Sequence, residues 1–192
     1  GQRWGNPLYD WPQHKAESFS WWIRRFQSML ATVDVVRIDH FRGFASYWEI
    51  PAEEATAVVG RWVPAEGQAL FTKVREALGY PSDLPFIAED LGVITDDVVA
   101  LRDAFALPGL RIFQFAFGND PQSTSFEPRN YVPNCVAYTG THDNDTVMGW
   151  FQAQAGENDT RTHADIERER ARVLAFFRAQ DGDDLHRRFV AC

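Results

Sequence analysis

The residues with the clearest chemical potential lie in the run VDVVRIDHFRG at 33–43, where an apolar strand ends in a carboxylate. Side chains alternate along a strand, so Arg37 and Asp39 share one face while Ile38 points to the other. We expect an ion pair between them, which keeps Asp39 ionised. A carboxylate at the carboxyl end of a strand lies where a parallel barrel carries its chemistry.

Two further carboxylates follow strand-like runs later in the chain. Glu89 ends the strand within FIAED, and Asp143 follows the last strand within YTGTHDND. Because the carboxyl ends of parallel strands meet at one rim, we expect Asp39, Glu89 and Asp143 to converge there.

Three converging carboxylates, without a cysteine or histidine cluster at metal-ligand spacing, favour glycosidic chemistry. In a retaining reaction one carboxylate attacks the sugar, and a second, protonated carboxyl group gives its proton to the leaving oxygen. A third carboxylate can hold the distorted sugar by its hydroxyls. The pattern predicts no metal and no cofactor.

Structural interpretations have to be weighed against these chemical roles. Asp143 and its neighbours would also serve as caps for a helix that begins near Thr146. Glu89 lies in an apolar strand, where an unpaired buried carboxylate either costs several kcal/mol or becomes protonated. Protonation is what an acid catalyst requires. Asp90 points the other way and is interpreted as structural, and His142 either supports its turn or contacts a sugar hydroxyl.

Strand-like and helical patterns alternate along the chain, which favours an α/β fold with parallel strands. Four runs have the short, apolar or β-branched character of strands, namely 33–39, 86–89, 110–117 and 135–139. Apolar residues at helical spacing predict helices over 15–31, 69–78 and 163–179, and a further helix that Thr95 opens and 107–109 close. The expected architecture is part of a (β/α)₈ TIM barrel, with 1–192 as one partial catalytic domain.

Residues 46–67 interrupt this alternation with a long segment rich in proline, glycine and aromatic residues. Connections of this length are commonly lids or binding loops, so we expect a lid-like insertion within the barrel domain. The alternative is a surface loop in which Trp48 and Trp62 only pack against the barrel rim.

Composition limits the partners and the compartment. The chain has 192 residues, of which 45% are apolar, enough for one sizeable core. Its 27 acidic and 19 basic residues give a net charge of −8, which disfavours nucleic acid and anionic membranes as partners. No apolar run approaches the roughly 18 residues of a membrane span. Cys135 and Cys192 suggest neither a metal site nor a disulfide framework, which favours the cytoplasm.

Three motifs carry a family resemblance. RIDHFRGF at 37–44, FIAEDLGVIT at 86–95 and YTGTHDNDTVMGW at 138–150 resemble the 4-α-glucanotransferases of the amylomaltase (disproportionating enzyme) family, relatives of the α-amylases. The opening GQRWGNPLYDW and the run RIFQFAF at 111–117 extend the similarity over almost the whole chain in the same order. The motifs together are highly specific.

The resemblance implies a role for six residues. Asp39 would be the nucleophile, Glu89 the general acid and base, and Asp143 the stabiliser of the transition state. Substrate contacts would come from three further residues: Trp4, Arg37 and His142. Alternatively, Trp4 is a core residue, since most tryptophans are largely buried.

The implied activity is transfer of α-1,4-glucan segments from a maltooligosaccharide, starch or glycogen donor to the 4-hydroxyl of an acceptor glucan, through a glucosyl ester on Asp39. An α-glucan hydrolase with the same acids and a non-catalytic glucan-binding fragment are the alternatives. Four strands, where a complete barrel has eight, imply a fragment whose partner is the remainder of the barrel. We expect little activity from residues 1–192 alone.

Overall fold

Short parallel strands alternate with helices in the computed structural model, which describes residues 3, 5–156 and 161–192. The chain divides into two units, Gly1–Gly109 and Leu110–Cys192. In the part of the chain that the structure describes, no helix has the length and apolar character that a membrane crossing requires.

The first unit carries two helices, then strands and helices in alternation. Their bounds are α1 Trp11–Ala16, α2 Ser20–Leu30, β1 Val36–Ile38, β2 Ser46–Glu49, β3 Arg61–Pro64, α3 Gly67–Leu78, β4 Phe86–Ala88, α4 Asp96–Ala104 and the first residue of β5 Gly109–Ile112. The second unit contains the rest of β5, β6 Cys135–Tyr138, α5 Val147–Gln152, α6 His163–Phe177 and α7 Leu185–Ala191.

The main sheet has the strand order β1-β4-β5-β6. β1 and β4 are parallel, with Val36 opposite Phe86 and Ile38 opposite Ala88. β4 and β5 are also parallel and meet where Ala88 lies opposite Gly109. The expected α/β fold with four strands is therefore confirmed, although the strands are shorter than the sequence pattern predicted.

The helix predicted over 15–31 is confirmed over Ser20–Leu30, but its predicted start is wrong. α1 ends at Ala16, and Ser18 and Phe19 adopt left-handed φ angles of 50° and 55° before α2 begins. The break brings Trp11, Phe19 and Trp22 into the same core, where each is at most 6% exposed. Burial of these large rings outweighs the cost of the left-handed residues.

The strand predicted over 110–117 is wrong beyond Ile112. Residues 113–117 form a 3₁₀ helix, through which Phe113 and Phe117 join a core that includes Leu185 and Phe189. A short, continuous apolar run has no periodicity that separates a buried strand from a buried turn, so the second core decides its conformation.

The insertion at 46–67 contains a two-stranded antiparallel hairpin. β2 and β3 pair with Trp48 opposite Trp62, and the last residue of the predicted insertion already begins α3. The two indole rings meet edge to face, with centroids 5.5 Å apart. That this hairpin acts as a lid stays a prediction.

A buried ion pair links α4 to the segment that follows β4. Arg102 Nη1 lies 2.6 Å from Asp90 Oδ2, and the Asp90 side chain is only 3% exposed, which confirms the structural interpretation of Asp90. A methyl group at Gly109 would lie 2.4 Å from the same carboxylate oxygen, so glycine is required where β5 begins.

We expect Asp90→Asn to lower the free energy of unfolding by about 3 kcal/mol, because the variant leaves the Arg102 charge without its buried counter-ion. Urea unfolding followed by circular dichroism measures the change. Asp103→Asn is the matched control, since Asp103 contacts the same guanidinium at 2.8 Å but is 60% exposed. The control should cost less than about 1 kcal/mol, and equal losses in both variants would contradict the assignment.

Candidate active site

Arg37 and Asp39 form the ion pair that the strand alternation predicted. β1 ends at Ile38, and Arg37 Nη1 lies 2.7 Å from Asp39 Oδ1. The Asp39 side chain is 69% exposed, so solvent screens the pair and its contribution to stability is small. Its effect is to orient the carboxylate at the end of the strand.

Glu89 contacts the chain on both sides of Asp39. Its backbone N–H donates to the Ile38 carbonyl at 3.0 Å, and its own carbonyl accepts from the Phe41 N–H at 3.0 Å. The side chain adds a third link, since Oε2 accepts a hydrogen bond from the His40 N–H at 2.6 Å. His40 has a left-handed φ of 48°. Segment 38–41, which carries Asp39, is thus bonded to Glu89 at three points.

The second Glu89 oxygen is also occupied. Oε1 accepts a hydrogen bond from the Leu91 N–H at 3.0 Å. Glu89 is therefore not an unpaired carboxylate within a strand, because β4 ends at Ala88 and Glu89 lies in the loop beyond it, where backbone amides are free to donate.

A cavity of about 420 Å³ in the first unit includes Asp39 and Arg37 in its lining. Tyr9, His40 and Tyr47 also line it, and sequence reasoning assigned none of these three to the site. The volume is in the range of small-molecule sites. For Tyr47, the sequence feature that points to the site is its position at the start of the insertion, only a few residues after RIDHFRGF. Burial, reinforced by the charge of Glu49, raises the pKa of Tyr47.

In the second unit, Asp143 and His142 lie in a turn after β6. Asn144 Oδ1 accepts hydrogen bonds from both the backbone N–H and the hydroxyl of Thr141, each at 3.0 Å, and closes this turn. The Asp143 side chain is 70% exposed, and His142 Nε2 lies 3.4 Å from Asp143 Oδ1. The turn leaves the Asp143 carboxylate accessible to a ligand.

The helix-cap interpretation of Asp143 is wrong. α5 begins at Val147, and Thr146 is its N-cap, since the Thr146 hydroxyl oxygen accepts from the Gly149 N–H at 3.1 Å. Asp145 Oδ1 accepts from the Thr146 N–H at 2.7 Å, one residue before the helix. Asp143 has neither contact.

We expect Thr146→Ala to lower the free energy of unfolding by about 1 kcal/mol, because one backbone donor of α5 loses its acceptor. Asp143→Asn is the matched comparison and should leave the thermal midpoint unchanged. Differential scanning calorimetry measures both variants. A lower midpoint in Asp143→Asn than in Thr146→Ala would restore the capping role.

The structure thus brings Arg37, Asp39 and Glu89 together in the first unit, and His142 and Asp143 together in the second. The convergence of all three carboxylates stays a prediction. Trp4 lies outside the described residues, so its substrate contact stays a prediction as well. Within residues 3, 5–156 and 161–192, no cluster of three or more histidine, cysteine, aspartate or glutamate side chains could hold a metal ion.

An α/β fold with carboxylates directly after parallel strands, one of them lining a cavity with aromatic residues, is typical of barrel-type enzymes that act on glycosides. The sequence model of glycoside hydrolase family 77, described as 4-alpha-glucanotransferase, matches residues 1–191. The chain belongs to this 4-alpha-glucanotransferase family, as its motifs predicted.

Curated relatives agree with this assignment. The chain is 56% identical over 154 residues to the 4-alpha-glucanotransferase of Thermus thermophilus, an alignment that covers 79% of this chain and 30% of that protein. It is 52% identical over 162 residues to the Synechocystis enzyme, covering 84% and 32%. The chloroplastic/amyloplastic enzyme of Solanum tuberosum is 50% identical over 151 residues, covering 79% and 26%. The chain spans about a third of the length of these relatives.

A solved structure agrees as well. The amylomaltase from Streptococcus agalactiae in complex with acarbose superposes with a TM-score of 0.83 at 38% identity, over 99% of this chain and 36% of that one. This similarity confirms the expected fold class, a part of the amylomaltase architecture.

Proposed function

We propose that the protein containing this chain transfers α-1,4-glucan segments from a donor glucan to the 4-hydroxyl of an acceptor, with retention of configuration. The observation that carries the proposal is the three-point attachment of Glu89 to segment 38–41. It holds a second carboxyl group beside the segment that carries Asp39, as a double displacement needs.

In the first half of the proposed reaction, Asp39 attacks the anomeric carbon of the donor while the glycosidic C–O bond breaks. The proton of the Glu89 carboxyl group passes to the departing oxygen, which leaves as the 4-hydroxyl of the released glucan. The products are a glucosyl ester on Asp39 and a Glu89 carboxylate. The His40 and Leu91 amides donate to that carboxylate.

In the second half, the 4-hydroxyl of an acceptor glucan gives its proton to Glu89 and its oxygen attacks the anomeric carbon. The Asp39 ester bond breaks and the carboxylate is regenerated. Two inversions give net retention. If water takes the place of the acceptor glucan, the same intermediate is hydrolysed. The residues around the ester therefore decide between transfer and hydrolysis.

The remaining assignments support these two steps. Arg37, at 2.7 Å from Asp39, orients the nucleophile and contacts substrate. Asp143 stabilises the transition state, and His142 and Trp4 contact glucan hydroxyls or faces. The aromatic rings around the Asp39 cavity suit the apolar faces of sugars.

The proposed substrates are maltooligosaccharides, starch and glycogen, and the remainder of the barrel is the proposed partner of this part of the chain. The similar structure from Streptococcus agalactiae contains acarbose. We propose a cytoplasmic location from the cysteine content, although the relative from Solanum tuberosum is named chloroplastic/amyloplastic.

Incubation of the full-length protein with maltotriose tests the proposal. Transfer gives glucose together with a ladder of longer maltodextrins, which chromatography resolves. A hydrolase gives glucose and maltose without longer products, and a glucan-binding module gives neither. Residues 1–192 alone, assayed in parallel, should give little product, because the proposed activity needs the remainder of the barrel.

A further inference from the structure

Arg42 is a buried charged residue that the proposed reaction does not use. It lies three positions after Asp39 and is 8% exposed. Its guanidinium Nη1 donates to the Val93 carbonyl, and Nη2 donates to the Thr95 hydroxyl at 3.4 Å. Because Val93 and Thr95 follow Glu89 in the chain, one guanidinium joins the segment after each of these two carboxylates.

The same guanidinium contacts the hairpin. Its central carbon lies 4.3 Å from the centre of the Trp62 ring on β3, within the distance of a cation–π interaction. Trp62 in turn packs against Trp48 on β2. The planar, delocalised guanidinium of arginine can stack on a ring and donate a hydrogen bond to a carbonyl at the same time.

Asp97 provides a second attachment between the hairpin and the segment after Glu89. Its Oδ1 accepts from the Thr95 hydroxyl at 2.5 Å, and its Oδ2 accepts from the Ser46 hydroxyl of β2 at 3.4 Å. The hydrogen bond from Thr95 is the largest cause that lowers the pKa of Asp97, and the charge of Arg42 contributes further. Both strands of the hairpin are therefore tied to residues 93–97.

The position of the hairpin affects the candidate site directly. Tyr47, the second residue of β2, lines the same cavity as Asp39 and His40. A hairpin released from Arg42 would move this wall of the cavity. We take this cavity, which Asp39 lines, as the route by which water or an acceptor glucan reaches an ester on Asp39 in the proposed reaction.

We propose that Arg42 is a positioning residue, which holds hairpin β2–β3 against the turns after Asp39 and Glu89 so that the glucosyl ester meets a glucan rather than water. The inference rests on the proposed transferase function. Arg42 itself touches no substrate in this role and acts through Tyr47 and the hairpin.

The test compares variants of the full-length protein in the ratio of transfer to hydrolysis with maltotriose. Arg42→Met removes both the stacking and the hydrogen bonds, and we expect the ratio to fall about tenfold. Arg42→Lys keeps the charge but not the planar fork, and we expect an intermediate ratio. Trp62→Leu removes the ring contacts with Arg42 and Trp48 but keeps the hydrogen bonds of Arg42, and it should also lower the ratio. We expect kcat for transfer to fall while the donor KM stays within about twofold.

Arg61→Met is the control, because Arg61 lies on the same hairpin, is 77% exposed and forms its ion pair with Glu49 of β2 rather than with residues 93–97. It should keep the wild-type ratio. The ratio is a property of each active molecule, so partial unfolding does not change it, and Trp62→Leu decides the matter if Arg42→Met does not fold. Wild-type ratios in both Arg42→Lys and Trp62→Leu would overturn the inference. A wild-type protein that only hydrolyses would instead overturn the proposed function.

Discussion

Glu89→Gln in the full-length protein is expected to lower kcat for transfer from maltotriose about 10³-fold, while the affinity for the glucan stays within about twofold. The amide has nearly the volume of the carboxyl group but cannot give a proton to the leaving oxygen. It can keep an acceptor for one of the two amides, from His40 and Leu91, that the carboxylate binds. Steady-state kinetics and calorimetric titration with maltotriose measure the two quantities.

A donor with a better leaving group sharpens this experiment. Fluoride departs from α-maltosyl fluoride without a proton, so Glu89→Gln should form the ester on Asp39 faster than it transfers it. Mass spectrometry of the intact protein should then detect an added maltosyl group. Glu76→Gln is the control, because Glu76 is 57% exposed and pairs with Lys73 on the surface of α3. A variant within tenfold of wild type on maltotriose would remove Glu89 from the acid role.

Asp39→Asn is expected to lower kcat by about 10⁴- to 10⁶-fold, because no carboxylate remains to form the ester. The loss should be the same with maltotriose and with α-maltosyl fluoride, since leaving-group protonation is not the missing step. This separates the nucleophile from the acid, whose loss depends on the leaving group.

Asp34→Asn is the matched control, since Asp34 is an exposed carboxylate that precedes β1 in the same segment. It should retain wild-type rates. The Asp39 variant should show no maltosyl adduct by mass spectrometry, and its circular dichroism spectrum should match wild type, because the Arg37 pair is exposed to solvent. A maltosyl adduct on Asp39→Asn would show that another residue carries the sugar.

The features that sequence predicted correctly are those with a local cause. Alternation along a strand places Arg37 and Asp39 on one face, and the structure has their ion pair at 2.7 Å. The glycine at 79 and the apolar spacing before it end α3 at Leu78, as the pattern predicts.

The features that sequence missed depend on distant residues. Phe113 leaves the predicted strand because Leu185 and Phe189, which come more than 70 positions later in the chain (185 − 113 = 72), share its core. No local pattern contains these partners. Glu89 likewise obtains its side-chain donor from His40, which lies 49 positions away in the chain.

The sequence by itself determined the family and the α/β class and predicted the candidate carboxylates, because motif order and side-chain alternation are properties of the chain alone. Only the tertiary structure decided which backbone amides bind Glu89, which residue caps α5, and that Arg42 joins the hairpin to the segments after both Asp39 and Glu89. Hydrogen bonds and ring contacts require atoms within a few ångströms. That proximity arises only when the folded sheet brings together segments that are far apart in the chain.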